Sequence, residues 1–266
     1  MTLLTNSCTV ALRFVSQSNC IGRPIKMRTF QVIALSLLIC LGLMGCMSAR
    51  YAENSGVLIF GASRETGLEI ARILAARGEA VTAFVRPTSD LTALKTFEVK
   101  FIEGDALNPS DVIAALKAKK YSAVISTLGG GRGDTRPDLE GSNNVVDAAK
   151  AAGVKRVIIV TVIGTGDSAN AVSDRVKQFL GKVIAAKDQA EKHLMASGLD
   201  WTIIRPGGLT SDPPTGKGAL LSDHSTMGSI ARVDLAKLVV KALDDSGTIG
   251  QIYHAIDQDM VGKAPM

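Results

Sequence analysis

Residues 56–78 read GVLIFGASRETGLEIARILAARG. The opening apolar run of this stretch, 57–60, has the length and composition of a buried strand. Behind it, 67–77 places apolar residues at three- and four-residue spacing, which is typical of an amphipathic helix. The turn between them begins at Gly61, ends at Gly67 and holds Arg64 and Glu65. The sequence therefore predicts a strand that enters a helix through a tight glycine turn.

The rest of the chain repeats this alternation of short apolar runs and helical segments. Further strands are predicted at 81–85, 99–102, 122–126, 156–161, 200–204 and in the run QIYHAI. Further helices are predicted at 110–119, 138–152, 184–197 and 232–244. Such a pattern favours a single α/β domain with a doubly wound parallel sheet. The Gly- and Pro-rich stretch 205–229 is expected to be a long binding loop or lid.

Charge and cysteine content distinguish the first 46 residues from residues 47–266, which are called the body of the chain. The net charge is +5, but four basic residues and no acidic residue precede residue 47, which leaves 26 basic and 25 acidic residues in the body. This balance gives no electrostatic case for nucleic-acid binding. All four cysteines also lie in the first 46 residues. A disulfide framework, a cysteine nucleophile and a thiolate zinc site are therefore excluded from the body, and no other metal site is predicted.

The first 46 residues are expected to be a targeting leader. Residues 27–46 combine a short positive start, an apolar run of about 14 residues and small residues before Cys46. This layout resembles an exported, lipidated and membrane-anchored protein, with Cys46 as the lipidation site and Met27 as the true start. The alternatives are an uncleaved anchor and an organelle transit peptide. Residues 47–55 would form a polar tether, 56–256 the folded domain and 257–266 a C-terminal tail.

The glycine turn is placed to bind phosphate. In a doubly wound sheet, ligands lie outside the carboxyl ends of the strands, and the first turn takes the phosphates. Gly61 allows the turn, Gly67 allows close packing, and the helix start offers free amide donors. Arg86 follows the second strand, where it and Arg64 suit the 2′-phosphate of NADP better than the ribose of NAD. The alternatives are a plain strand–turn–helix and two solvated arginines.

The run VLIFGASRETGLEIARILAARGEAVTAFVR, followed by GDA, VISTLGG, GVKRVIIVT and AEKHLMASGLDWTIIRPGGL, resembles the atypical short-chain dehydrogenase/reductases. Within that group it is similar to single-domain NAD(P)H-binding reductases typified by biliverdin reductase B, which is also a flavin reductase. The resemblance covers roughly 56–256 and implies a Rossmann-like domain. The cofactor-binding residues that it implies are Gly61, Ser63, Arg64, Thr66, Gly67, Arg86, Asp105, Ala106, Thr127, Leu128, Gly129, Lys187, Pro206, Gly207, Gly208 and Leu209.

The implied catalytic residues depart from the family's pattern. Typical members place a tyrosine four residues before a lysine, and the lysine lowers the pKa of the phenol so that it can donate a proton. Here Lys187 has the lysine position, but Val183 replaces the tyrosine. Thr161 matches a serine that orients substrate, or it is an ordinary strand residue. His224, in the long loop, is the one histidine placed to supply a proton.

Two functions follow from these residues. The first is an NADPH-dependent reductase that transfers hydride to a flat acceptor, such as a flavin, quinone or tetrapyrrole, which takes its proton from solvent. The second is a non-catalytic redox sensor or scaffold that binds NADP(H). The expected partners are a small-molecule acceptor and, through the leader, a membrane. The chain is expected to be a monomer or a small homo-oligomer.

Overall fold

The computed structural model of the chain describes residues 55–130 and 133–262. The predicted leader and its Cys46, most of the tether and the last four residues lie outside this part. No helix within the described ranges is both long enough and apolar enough to cross a bilayer.

The described chain forms ten strands and five α-helices. The strands are β1 Gly56–Phe60, β2 Val81–Val85, β3 Val99–Glu103, β4 Tyr121–Ser126, β5 Arg156–Val160, β6 Asp200–Pro206, β7 Gly208–Thr210, β8 Gly218–Leu221, β9 Ser229–Ala231 and β10 Gln251–Asp257. The helices are α1 Glu65–Ala76, α2 Pro109–Lys117, α3 Ser142–Ala152, α4 Asp174–Met195 and α5 Arg232–Asp244. A π-helical turn, Pro137–Gly141, leads into α3.

The predicted α/β doubly wound sheet is confirmed. Its eight strands run in the order β3-β2-β1-β4-β5-β6-β10-β8, and every neighbouring pair is parallel except β10 and β8. One apolar core packs α1 and α5 against the sheet, and a second packs α2, α3 and the end of α4 against its other face. The strand order reverses between β1 and β4. This reversal places the switch point, and hence the expected ligand crevice, beside the glycine turn.

Two sequence predictions differ from the structure. The stretch 205–229 is not wholly irregular, because β7 and β9 pair with each other and β8 joins the sheet edge antiparallel to β10. Helix α4 begins at Asp174, ten residues before the predicted start. Ser173 caps it by accepting a hydrogen bond from the Val176 amide at 3.4 Å. The longer helix adds Val183 to the wall of the crevice.

The fold also continues past the expected domain boundary at 256. A 3₁₀ turn forms at Gln258–Met260, and Val261 bridges to Gly228. The division between the domain and a C-terminal tail remains a prediction.

Candidate functional site

A cleft of about 780 Å³ opens at the carboxyl ends of β1 and β4. This volume lies in the range of sites that enclose a small molecule or a cofactor. The cleft brings together most of the predicted site residues: Gly61, Ser63, Arg64, Thr66, Gly67, Arg86, Asp105, Ala106, Thr127, Leu128, Gly129, Thr161, Lys187 and Leu209. Pro206, Gly207 and Gly208 do not line it; Pro206 and Gly207 are buried at the end of β6.

The glycine turn has no space for side chains at either end. Gly61 has a φ of +85°, and a Cβ there would lie 2.6 Å from Thr127 Oγ1. A Cβ at Gly67 would overlap the carbonyl oxygen of Gly61. Arg64 precedes α1 in an extended conformation, and its side chain makes no capping hydrogen bond. The first amides of α1 are therefore not capped by that side chain, and they are suited to hold an anion.

Glu65 occupies the position of the glycine that the turn lacks. Its φ is +53°, which is in the left-handed region that glycine adopts freely. This conformation costs a residue with a Cβ roughly 1–2 kcal/mol. The exposed carboxylate lies 3.7 Å from Arg232 Nε. The backbone thus follows the path of a glycine turn, and the carboxylate points toward the N-terminus of α5.

The predicted phosphate arginines lie at one end of the cleft. Arg86 follows β2 directly, and both Arg86 and Arg64 contribute to the lining. Within residues 55–130 and 133–262, neither guanidinium has a hydrogen-bonding or ion-pair partner. Both are therefore available for a phosphate, which pairs with guanidinium in a bidentate geometry.

The middle of the cleft is held by a buried ion pair that the sequence did not predict. Lys187 Nζ lies 2.8 Å from Asp138 Oδ1 and donates to the Leu128 carbonyl at 2.9 Å. The other carboxylate oxygen of Asp138 accepts from the Gly130 amide at 2.9 Å, and the side chain is only 1% exposed. Lys187 therefore connects α4 to the glycine-containing loop that follows β4. An ammonium group has three donors, so one remains for a ligand in the cleft.

The opposite end of the cleft is largely apolar. Val160, Val183 and Leu209 line it together with Thr161. The hydroxyl of Thr161 donates to Glu191 Oε1 at 2.6 Å, and Val183 has no proton to give. Val183, at the position of the family's acidic tyrosine, cannot protonate a substrate, and the hydroxyl proton of Thr161, at the position of the substrate-orienting serine, is committed to Glu191.

Glu191 belongs to a buried charged network behind this wall. It accepts from Arg205 Nη2 at 2.7 Å, and Arg205 also pairs with Asp167 at 2.6 Å. Burial disfavours the charge on Asp167, but hydrogen bonds from His224 and Arg205 outweigh it and lower the Asp167 pKa to about 2. His224 Nδ1 lies 2.7 Å from Asp167, and its Nε2 lies 3.1 Å from the Ile252 carbonyl. Both partners are acceptors, so His224 belongs to this network, and it does not line the cleft.

His254 stacks on His224 with ring centroids 5.0 Å apart. Burial lowers the pKa of His254, and its Nδ1 lies 2.9 Å from the Thr226 carbonyl. His193 lies elsewhere, on α4, and pairs with Asp147. Residues 55–130 and 133–262 contain no group of three potential metal ligands.

The fold and the cleft define a dinucleotide-binding α/β protein. Residues 61–246 match the NAD(P)H-binding family, and the chain belongs to it. It is 33% identical over 212 residues to an uncharacterized chloroplastic protein of Arabidopsis thaliana. The aligned residues cover 72% of this chain and 74% of the relative. It is 31% identical to YhfK, an uncharacterized sugar epimerase of Bacillus subtilis, over 76% and 94% of the two chains. Among solved structures it is similar to ChuY, an anaerobillin reductase from Escherichia coli O157:H7. That likeness has 32% identity, a TM-score of 0.71 and coverage of 77% and 98%.

Proposed function

We propose that the chain is an NADPH-dependent reductase that transfers hydride to a flat, electron-poor acceptor. The observation that carries this proposal is the apolar end of the cleft, where Val183 has no proton and Thr161 has its proton committed to Glu191. A carbonyl or alcohol substrate would need an acid at that point. A flavin, quinone or tetrapyrrole does not, because its conjugated ring accepts two electrons as hydride and takes a proton from water. The likeness to ChuY supports a bilin-type tetrapyrrole within this class.

Each part of the cleft then has a role. The amides at the start of α1 hold the pyrophosphate, and Arg64 with Arg86 holds the 2′-phosphate, which makes NADPH the preferred cofactor over NADH. Asp105 and Ala106 flank the adenine, Lys187 and Thr127–Gly129 hold the ribose, and Leu209 and Thr161 bound the nicotinamide. When bound, NADPH supplies the hydride. The protein supplies position and excludes water from the apolar end of the cleft.

NADPH oxidation by the purified protein tests the reductase function. The acceptors would be a flavin, a quinone and biliverdin, each measured against its rate without protein. We expect oxidation above background for at least one acceptor. A protein that binds NADPH but oxidises it no faster than background with all three would contradict the proposal.

A second function is a non-catalytic redox sensor, which the missing proton donors also favour. Such a protein would change its partners with the redox state of the nucleotide. Pull-downs in NADPH and in NADP⁺ distinguish this function from the first. Different partners in the two states, with no acceptor reduced, would establish the sensor, and identical partners would exclude it.

We also propose that residues 1–46 are a targeting leader and that the folded domain begins near residue 56. The chloroplastic relative favours an organellar address over lipidation at Cys46. Mass spectrometry of the mature N-terminus decides between them. A lipid-modified Cys46 would establish the lipoprotein, and an unmodified N-terminus downstream of the leader would establish a cleaved transit peptide.

A further inference from the structure

Helix α4 presents an aromatic side chain to solvent beside the cleft. Phe179 is 61% exposed and is the most exposed large hydrophobic residue in the described part of the chain. It lies one helical turn before Val183, which lines the cleft. Residues four apart lie on the same face of a helix. The apolar wall of the cleft therefore continues outward along α4 to Phe179.

Two cations flank this aromatic ring on the helix surface. Arg175 is four residues before Phe179 and Lys182 is three residues after it, so both neighbour the ring. Both are exposed, and neither has a hydrogen-bonding or ion-pair partner among the residues that the structure describes. Asp174 is an acidic residue nearby, but its carboxylate lies 3.8 Å from Lys177 Nζ and pairs with that cation. This half of α4 combines an apolar strip with two unpaired positive charges.

We propose that this surface, from Val183 to Phe179 with Arg175 and Lys182, is the outer half of the acceptor site. It binds a flat conjugated ring that carries an anionic substituent, either a carboxylate or a phosphate. The ring stacks on Phe179 and Val183, and the anion lies against Arg175 and Lys182. This inference rests on the proposed reductase function and narrows its acceptor class. Neutral quinones would bind more weakly, because they gain no ion pair with either cation.

Acceptor binding in the presence of NADP⁺ tests the site independently of turnover. Two matched pairs of probes isolate the anion: FMN against riboflavin for a phosphate, and biliverdin against its dimethyl ester for a carboxylate. We expect at least one anionic probe to bind about fivefold more tightly than its neutral partner, which is the effect of a weak, solvent-exposed ion pair. Equal affinities within both pairs would overturn the proposal.

Variants locate the binding surface. Arg175→Gln with Lys182→Gln should abolish the preference for the anionic probe, while Phe179→Ala should weaken both members of the pair roughly tenfold. Lys177→Gln is the matched control, because Lys177 is an exposed cation on the opposite side of the same helical turns. It should change neither affinity. Loss of the preference in Lys177→Gln, or its retention in the double variant, would refute the assignment.

Two further outcomes keep this inference separate from the reductase proposal. If anionic probes bind at Phe179 and none is reduced with NADPH, the reductase function fails and the binding site stands. If Phe179→Ala instead converts a dimer to a monomer in light scattering and leaves probe affinity unchanged, the surface is an interface between copies. That result would overturn the acceptor site.

Discussion

The buried ion pair of Glu191 and Arg205 allows a sharp prediction for stability. Glu191 is 1% exposed and Arg205 is 2% exposed, with 2.7 Å between the carboxylate and the guanidinium. Glu191 also accepts hydrogen bonds from Thr161 and Thr165, so Glu191→Gln removes a charge that three side chains contact. Removing one partner of a buried pair costs about 3–5 kcal/mol. Because Asp167 still contacts Arg205, we expect the lower limit, about 3 kcal/mol.

Urea denaturation measures this loss. With a slope of about 2 kcal/mol per molar urea, the unfolding midpoint of Glu191→Gln should fall by about 1.5 M. The exposed pair Lys192–Asp188 is the matched control, since its N–O distance is also 2.7 Å. Lys192→Gln should cost less than about 1 kcal/mol, because solvent screens that pair. The double variant Glu191→Gln with Arg205→Met should recover much of the loss, since it leaves no unpaired guanidinium. A loss below about 1 kcal/mol in Glu191→Gln would show that this ion pair does not stabilise the fold as a buried pair does.

Three other perturbations concern the cofactor cleft and a buried histidine. Arg86→Ala should weaken NADPH binding about tenfold or more in a fluorescence titration and leave NADH binding unchanged, because the lost contact is to the 2′-phosphate; equal losses would contradict that role. Glu65→Gly should tighten NADPH binding about two- to fivefold, because it removes a carboxylate near the pyrophosphate. The free energy of unfolding should change by less than about 1 kcal/mol, because the relief of backbone strain offsets the added entropy of the unfolded chain. Glu65→Gln separates the charge from the strain and should reproduce only the affinity gain. Because the pKa of His254 is lowered by burial, the unfolded chain takes up a proton first as the pH falls below the ordinary value of 6.5. Denaturation midpoints should therefore fall from pH 7.5 to pH 5.5, and His254→Leu should flatten that dependence; an unchanged dependence would exclude His254 as its source.

The sheet and the glycine-turn end of the cleft were predictable because their signals are local. Short apolar runs such as 57–60 and 157–160 separate helical segments clearly, and parallel pairing then places the carboxyl ends of those strands at one edge of the sheet. Gly61 and Gly67 mark the turn without reference to any distant residue. The left-handed backbone of Glu65 was not predicted, because a side chain at that position hides the glycine pattern that the fold follows.

The missed features depend on contacts between residues far apart in the chain. The first half of α4 was not predicted because Gly181 weakens the helical pattern, and because Phe179 faces solvent and Val183 faces the cleft. Strands β7 and β9 have three residues each and form only because they pair across the loop. Asp138 lies in a π-helical turn that positions it beside Lys187, and no spacing of residues in the sequence predicts such a turn. The one available signal was Arg205, a charge within the buried part of β6, which required a buried partner.

The proposed function is hydride transfer from NADPH in this cleft, with no proton donated by Val183 or Thr161. Its most direct test is the single-turnover oxidation of NADPH and of NADPH deuterated on one face of C4, with the best acceptor found, in H₂O and in D₂O. The proposed function predicts slower oxidation when deuterium occupies the position on C4 that is transferred, and an unchanged rate when it occupies the other face. It also predicts no further slowing in D₂O, because no protein proton moves with the hydride. Equal rates with both nucleotides, or no oxidation above the rate without protein, would contradict it.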